Sequence, residues 1–211
     1  MAQVARLGRV PARAAFLDLT RPDLQQVTAE LADDGVRRAV VVPLLFTKAF
    51  HATVDAPQTV REAAGNTSVD LVVADILGTG PDVLDLVRGS AARAGIPVTS
   101  SILLYAVGSS RPGANDAVHD LAARLAAVRG APALAAFGTM DPRPDAVIPL
   151  LPEPIGVLPL FLSPGLLLEP MARLAAQHGW PMAGPLGTAA APLVLDRYHA
   201  ALAGAGWRKV P

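Results

Sequence analysis

The chain has 211 residues, of which 52% are hydrophobic, and its 18 basic side chains balance its 18 acidic ones. This length is enough for one large core or for two lobes of about 100 residues. Neither sign of charge forms a long block, so a general role in binding nucleic acid or a membrane surface has no support. The absence of cysteine excludes disulfides, iron–sulfur clusters ligated by this chain and thiolate zinc sites. A bound metal would have to use histidine, carboxylate or backbone oxygen.

The apolar segments predict neither targeting nor a membrane span. Arg6 and Arg9 interrupt the first ten residues, which therefore lack the core of a signal peptide. The most apolar tract, residues 147–168, contains several prolines and Glu153, so a buried strand is favoured over a transmembrane helix. The chain is expected to be cytoplasmic.

Short apolar runs alternate with amphipathic segments along the chain, which is the pattern of an α/β protein with parallel sheets between helices. Strands are predicted at residues 13–18, 38–46, 69–75, 101–107, 133–137 and 156–162, with a weaker one near residue 182. Helices are predicted at residues 23–32, 56–64, 82–94, 114–128, 169–177 and 192–203.

Three short segments recur in the same order. Residues 11–16 return as 132–137, residues 42–46 as 158–162 and residues 76–79 as 185–188, at offsets of 121, 116 and 109. A period this long predicts a duplicated domain and excludes a solenoid. The fold class expected is α/β with two similar lobes, residues 1–96 and 97–211, each a parallel sheet flanked by helices, with a cleft between them.

The repeat also predicts an asymmetry. Residues 103–113 have no counterpart in the first copy, since the offset of 121 would place Val107 at position −14. The first lobe is therefore expected to lack its opening strand, the following turn and most of the next helix. Residues 2–9 would be the end of that helix.

Candidate chemical residues follow the predicted strands, because ligands of open parallel sheets bind beyond the carboxyl ends of the strands. His51 follows the strand at 38–46, and Asp18 ends the strand at 13–18. An imidazole and a carboxylate facing one cleft suit a transient divalent-metal site. Position alone equally allows a surface histidine with Asp55 as a helix cap, and favours Asp18 as a turn residue.

Other candidates are weaker. The turn at residues 108–113 follows a strand and precedes a helix, so its amides could hold an anion, but it matches no dinucleotide or P-loop pattern. His119, His178 and His199 fall in or near predicted helices and are interpreted as structural. Nothing in the sequence supports nucleophilic hydrolysis.

Residues 42–57 resemble the sirohydrochlorin chelatase family, the class II cobaltochelatases and ferrochelatases. The shared phrase is an apolar strand ending in Val-Pro-Leu, a short loop, a His and then Asp-x-Pro. Residues 15–24 resemble a second family segment, in which Glu usually stands at the place of Asp18. Residues 106–110 and 158–167 resemble the degenerate second half of long members.

The resemblance implies a lyase that inserts Co²⁺ or Fe²⁺, as substrate metal, into the tetrapyrrole sirohydrochlorin in cobalamin or siroheme biosynthesis, with no organic cofactor. It makes His51 and Asp18 the metal-binding and catalytic residues. Asp55, in the same phrase, and Lys48, chosen for its position near His51, are further candidate ligand-binding residues. The macrocycle must lose two pyrrole protons as the metal enters, and a neutral imidazole can accept a proton. Whether two chains form a homodimer is left open.

Family members usually carry another His, in an Ala-His-Gly phrase on the first strand. The corresponding residue of the second copy is Val107, and the counterpart of His51 is Leu167. Either the natural chain starts upstream, or it is a homologue that lost catalysis and still binds a tetrapyrrole or a divalent metal. The first is preferred, because a lost central strand would expose an apolar sheet edge.

Overall fold

A computed structural model describes residues 1–17, 20–47, 60, 62, 63, 65 and 67–207. These residues form an α/β fold in which parallel strands are flanked by helices, which confirms the predicted α/β class with parallel sheets. The two similar lobes with a cleft between them stay a prediction. By their internal contacts they divide into two compact units, Met1–Gly78 with Ala191–Pro211, and Thr79–Ala190. No helix in the described part of the chain is long and apolar enough to cross a membrane.

The elements follow the predicted order. The strands are β1 (Arg38–Val41), β2 (Asp70–Val73), β3 (Ser101–Ala106), β4 (Ala133–Phe137) and β5 (Ile155–Pro159). The helices are α1 (Ala2–Gly8), α2 (Leu24–Asp33), α3 (Pro81–Arg93), α4 (Asp116–Arg129), α5 (Pro144–Val147), α6 (Glu169–His178) and α7 (Ala191–Gly204). Short 3₁₀ turns occupy Ile148–Leu150 and Gly187–Ala190. The strands β1 and β5 end earlier than predicted, and the sequence does not predict α5.

The prediction of a strand at residues 13–18 is wrong over residues 13–17, the part that the structure describes. Residues 13–17 are not extended in a sheet, and Phe16 forms only an isolated bridge with Asp23. Their apolar sequence is that of a strand, but a strand also needs a hydrogen-bonded neighbour. The helix predicted at 56–64 lies mostly outside the described residues.

The strand β3 is the centre of the second unit. It pairs in parallel with β4 on one edge and with β5 on the other. Every residue of β3 and β5 is buried, as expected for a parallel sheet covered on both faces. One core cluster joins Leu103 and Tyr105 of β3 to Met171 and Ala175 of α6. The carboxyl ends of three strands therefore share one edge of a well-packed sheet.

The first unit has a smaller sheet. The strands β1 and β2 pair in parallel with Arg38 opposite Asp70, and α7 packs against α1 and both strands. Arg197 of α7 donates from Nε to the carbonyl of Ile76 over 3.0 Å and from Nη2 to that of Leu77 over 2.7 Å. These two bonds fix the chain just after β2 to the helix.

Corresponding backbone hydrogen bonds support the duplication. The bond from the amide of Ala74 to the carbonyl of Val41 (2.9 Å) recurs at the repeat offsets as the bond from Ala183 to Val157 (3.0 Å). Two further bonds recur with the acceptor shifted by one residue: Phe16 to Pro22 (2.9 Å) as Phe137 to Pro142 (3.0 Å), and Gly78 to Leu45 (3.1 Å) as Gly187 to Leu162 (3.1 Å).

The ends of α1 and α4 agree with the same repeat. Arg9 caps α1 in the left-handed conformation with φ 50°, and Gly130 caps α4 with φ 66°. The offset of 121 pairs these two residues. The helix α1 thus corresponds to the last turns of α4, as the repeat predicts.

The compact units do not follow the halves of the repeat, residues 1–96 and 97–211. The helix α3 follows the first copy's last repeated segment, yet it packs against α4 and β5 of the second unit. The helix α7, which follows the second copy, belongs to the first unit. An apolar stripe does not reveal which sheet a helix covers. Residues 1–96 and 97–211 are therefore the predicted copies of the repeat, whereas the two compact units are defined by how the elements pack.

Candidate metal-handling site

The four residues predicted for the site, Asp18, Lys48, His51 and Asp55, all lie outside the described residues. Their positions and contacts, including the predicted meeting of Asp18 with His51, stay predictions. The structure instead fixes the chain that leads to them and the matching positions of the second copy.

The segment before His51 leaves the carboxyl end of β1. The carbonyl of Val41 accepts the amide of Ala74, and the carbonyl of Leu45 accepts the amide of Gly78 over 3.1 Å. The chain therefore stays beside the segment that follows β2 for four residues beyond β1. Leu45 lies at the edge of the sheet where ligands of parallel sheets bind.

The second copy shows what the fold does at the positions that match the predicted site. The offset of 121 pairs Asp18 with Thr139, and the offset of 116 pairs His51 with Leu167. Thr139 donates from its amide (2.9 Å) and its Oγ1 (2.8 Å) to the carbonyl of Val107. Tyr105 of β3 donates from Oη to the carbonyl of Leu167 over 2.9 Å. The counterparts of Asp18 and His51 thus both lie at the carboxyl end of β3.

Tyr105 links the carboxyl end of β3 to Leu167 through its hydroxyl group. Burial raises the pKa of its phenol, and the charge of Arg143 opposes that rise. Its ring stacks on Phe161, with 5.6 Å between the ring centroids. Because the phenol keeps its proton, it remains a donor to the carbonyl of Leu167. Sequence reasoning missed both Tyr105 and Thr139, although applying the offset of 121 to Asp18 identifies Thr139.

The second unit exposes apolar side chains around Val107 and Leu167, near the carboxyl end of β3. Val107 is 39% exposed and Leu167 42% exposed, and Leu166 beside it is 80% exposed. None of these side chains can ligate a divalent metal. Within the described residues there is no group of three or more His, Cys, Asp or Glu placed to hold a metal ion. The positions of Val107 and Leu167 therefore provide no metal ligand in the second copy.

The three described histidines all contact aromatic rings. His119 meets Phe137 edge-on at 5.3 Å between centroids, and His178 stacks on Trp180 at 4.4 Å. His199 lies 5.3 Å from the ring of its neighbour Tyr198. All three side chains are exposed, and their interpretation as structural stays a prediction.

The turn at residues 108–113 uses its polar groups internally. Asn115 accepts the amide of Ser109 at its Oδ1 over 2.9 Å and donates from Nδ2 to the Ser109 carbonyl over 3.1 Å. The amide of Arg111 donates to Ser109 Oγ over 3.2 Å. The amides of Ser109 and Arg111 therefore already have acceptors and do not point to an anion.

Known proteins resemble this chain in sequence and in fold. Residues 1–94 match the CbiX family. A sirohydrochlorin cobaltochelatase of Sulfolobus acidocaldarius is 25% identical over 79 residues, which are 37% of this chain and 63% of that relative. The chain thus spans less than two thirds of the length of this curated relative.

Two solved structures share the fold of nearly the whole chain. SirB from Bacillus subtilis with Fe³⁺ has a TM-score of 0.79 and 21% identity, covering 97% of this chain and 89% of that one. The sirohydrochlorin chelatase SirB from Bacillus subtilis subspecies spizizenii, in complex with cobalt, has a TM-score of 0.75 and 21% identity, covering 97% and 88%. The resemblance of this chain to the sirohydrochlorin chelatase family is therefore confirmed, in sequence over residues 1–94 and in fold over almost its full length.

Proposed function

We propose that this chain is a metallochelatase that inserts Co²⁺ or Fe²⁺ into sirohydrochlorin. The observation that carries the proposal is the match of residues 1–94 to the CbiX family, because this stretch contains the His51 phrase. The named relatives agree with it, since one is a sirohydrochlorin cobaltochelatase and solved relatives contain cobalt or Fe³⁺. The metal is a substrate of the reaction and not a resident cofactor.

We assign Asp18 and His51 to one site. The support comes from the second copy, where Thr139 and Leu167 occupy the matching positions and both contact the carboxyl end of β3 or the residue after it. Duplicated units keep their backbone geometry more closely than their side chains. A carboxylate and an imidazole at such positions provide one oxygen and one nitrogen ligand, a set suited to a divalent transition metal.

The chemistry requires removal of protons as well as delivery of the metal. Two pyrrole N–H groups of the macrocycle lose their protons while the metal enters. Neutral His51 would bind the metal through one ring nitrogen before insertion, and after release it could accept a proton. Asp18 would balance the positive charge of the metal. Lys48 would attract the carboxylates of the substrate, and Asp55 would complete the ligand-binding loop.

A comparison of two histidine variants tests the proposal. Purified chain is mixed with sirohydrochlorin and Co²⁺ or Fe²⁺, and insertion is followed by the change in the absorbance spectrum. His51→Ala should lower the catalysed rate by at least about 100-fold, the usual contribution of a general acid or base. His199→Ala removes an exposed histidine of α7 and should leave the rate unchanged. Equal rates for wild type and His51→Ala would refute the assignment.

A binding protein without catalysis is the second candidate. The observation in its favour is that the chain has four histidines, and the three described ones each contact an aromatic ring. Of the four, the family phrase contains His51 alone, whereas the resemblance implies a second histidine at the site. Saturable binding of sirohydrochlorin that His51→Ala weakens, without acceleration of insertion by the wild type, would select this candidate.

A further inference from the structure

The strand β1 has one unpaired edge in the described part of the chain. It pairs with β2 on one side, and no described strand pairs with it on the other. Its counterpart in the repeat, β5, has neighbours on both sides, because β3 pairs with one edge and Met182 forms a bridge to Val157 at the other. Within the residues that the structure describes, the two copies therefore differ by one strand at the same edge.

Side-chain exposure shows the same difference. Phe16 is 43% exposed, whereas its counterpart Phe137 is fully buried at 0%. Leu44 is 38% exposed, and its counterpart Leu160 is 3% exposed. In the second unit, β3 and the helix that follows it cover these positions. The first unit leaves apolar surface of matching sequence uncovered.

The direction of the backbone groups identifies the free donors and acceptors of this edge. The carbonyls of Arg37 and Val41 accept amides from the β2 side. Alternate residues of a strand point their backbone groups to opposite edges, so Val40, Val42 and Leu44 face away from β2.

The second copy shows what such groups bind. Leu160, the counterpart of Leu44, donates its amide to the carbonyl of Tyr105 over 2.7 Å. The carbonyl of Pro154 accepts the amide of Ser101 over 2.9 Å. Both partners belong to β3, whose six residues SILLYA carry no charge. The edge of β5 is thus filled by an uncharged apolar strand that runs parallel to it.

We propose that the free edge of β1 is a docking site for an uncharged apolar strand of the β3 type, added in parallel to β1. Strand addition supplies backbone hydrogen bonds to an open edge and pockets for alternate side chains. The pockets here are the uncovered sides of Phe16 and Leu44. Unsatisfied strand edges beside apolar surface are the places where proteins pair with further strands.

A peptide with the sequence of residues 101–110 tests the proposal on the intact chain. Amide hydrogen exchange is measured residue by residue with and without excess peptide. Exchange at Val40, Val42 and Leu44 should slow by at least about tenfold, because their amides gain acceptors. Exchange at Val41, which faces β2, should not change. The amide of Leu160, already bound to Tyr105, reports whether the peptide displaces β3 instead.

A control peptide has proline at the place of Leu103. Leu103 faces β5 as Ser101 and Tyr105 do, so this change removes a donor directed at the docking edge. The control should give no protection. A second version joins the peptide to Met1 through a glycine–serine linker, which raises its effective concentration.

Three results would overturn the proposal. One is unchanged exchange with the tethered peptide, and another is equal protection by the control. The third is protection of the Val40 amide in the absence of peptide, with exchange that becomes slower as the protein concentration rises. This result would mean that a second copy covers the edge. None of these results depends on chelatase activity.

Discussion

Phe137 and Phe16 occupy matching positions of the repeat, and their truncation should have unequal effects on stability. Phe137 is 0% exposed, and Phe→Ala at such a site lowers the free energy of unfolding by about 3–5 kcal/mol. Phe16 is 43% exposed. Complete burial of such a side chain contributes about 1.5–3 kcal/mol, so roughly half of that, about 0.8–1.5 kcal/mol, should be lost. Because Phe16 borders solvent, its removal leaves no closed cavity. The two variants should differ by at least about 1.5 kcal/mol.

The chain offers a separate fluorescent probe for each unit. It has two tryptophans, Trp180 in the second unit and Trp207 in the first. Urea denaturation of single-tryptophan variants, with phenylalanine replacing the other tryptophan, therefore reports each unit separately. Phe137→Ala is measured with Trp180 present and Phe16→Ala with Trp207 present, each against its own parent. Equal losses would mean that Phe16 is covered as Phe137 is, and would refute the argument from exposure.

Further predictions concern other contacts of the two units. Burial raises the pKa of Tyr105 above its ordinary value of 10.0. Above about pH 10 the unfolded chain releases the phenol proton while the folded chain still holds it. The second unit should therefore keep its stability up to about pH 10 and lose stability as the pH rises through the raised pKa. Tyr105→Phe should flatten this alkaline limb in denaturation curves measured from pH 8 to 11. Gly156→Ala places a Cβ against the side chain of Ile96 and should destabilise by about 1–3 kcal/mol, but by less in an Ile96→Ala background; equal losses would contradict the clash. Arg197→Lys cannot reproduce both bonds of the guanidinium and should lower the midpoint of denaturation reported by Trp207, by about 1–3 kcal/mol in stability; an unchanged midpoint would contradict this role.

The sequence predicts those elements whose ends carry local signals. The helix α6 is predicted at residues 169–177 and found at Glu169–His178, where Gly179 in the left-handed conformation ends it. The strand predicted at 13–18 fails because a strand depends on a neighbour that is distant in sequence. The packing of α3 and α7 could not be predicted for a similar reason, since their apolar stripes fit either sheet.

The candidate site is predictable to a different extent. The repeat and the family phrase select Asp18 and His51 from the sequence, and the offsets select Thr139 and Leu167 as their counterparts. The bond from Thr139 to the carbonyl of Val107 could not be predicted, because it depends on the parallel pairing of β3 with β4. Sequence thus identifies the residues, and the sheet determines which of them meet.

Each copy provides a different part of what a functional site needs. The second unit has a three-stranded buried sheet but carries Thr139 and Leu167 at the positions that match Asp18 and His51, whereas the described part of the first unit has a two-stranded sheet. A functional site needs its residues held by well-packed neighbours. If the proposed function and the strand site both hold, a strand docked on β1 completes the sheet edge at which Asp18 and His51 are predicted to lie. The peptide of residues 101–110 should then raise the insertion rate at the concentrations that protect the Val40 amide, and the proline control should not. Protection of Val40 without faster insertion would separate the docking site from catalysis.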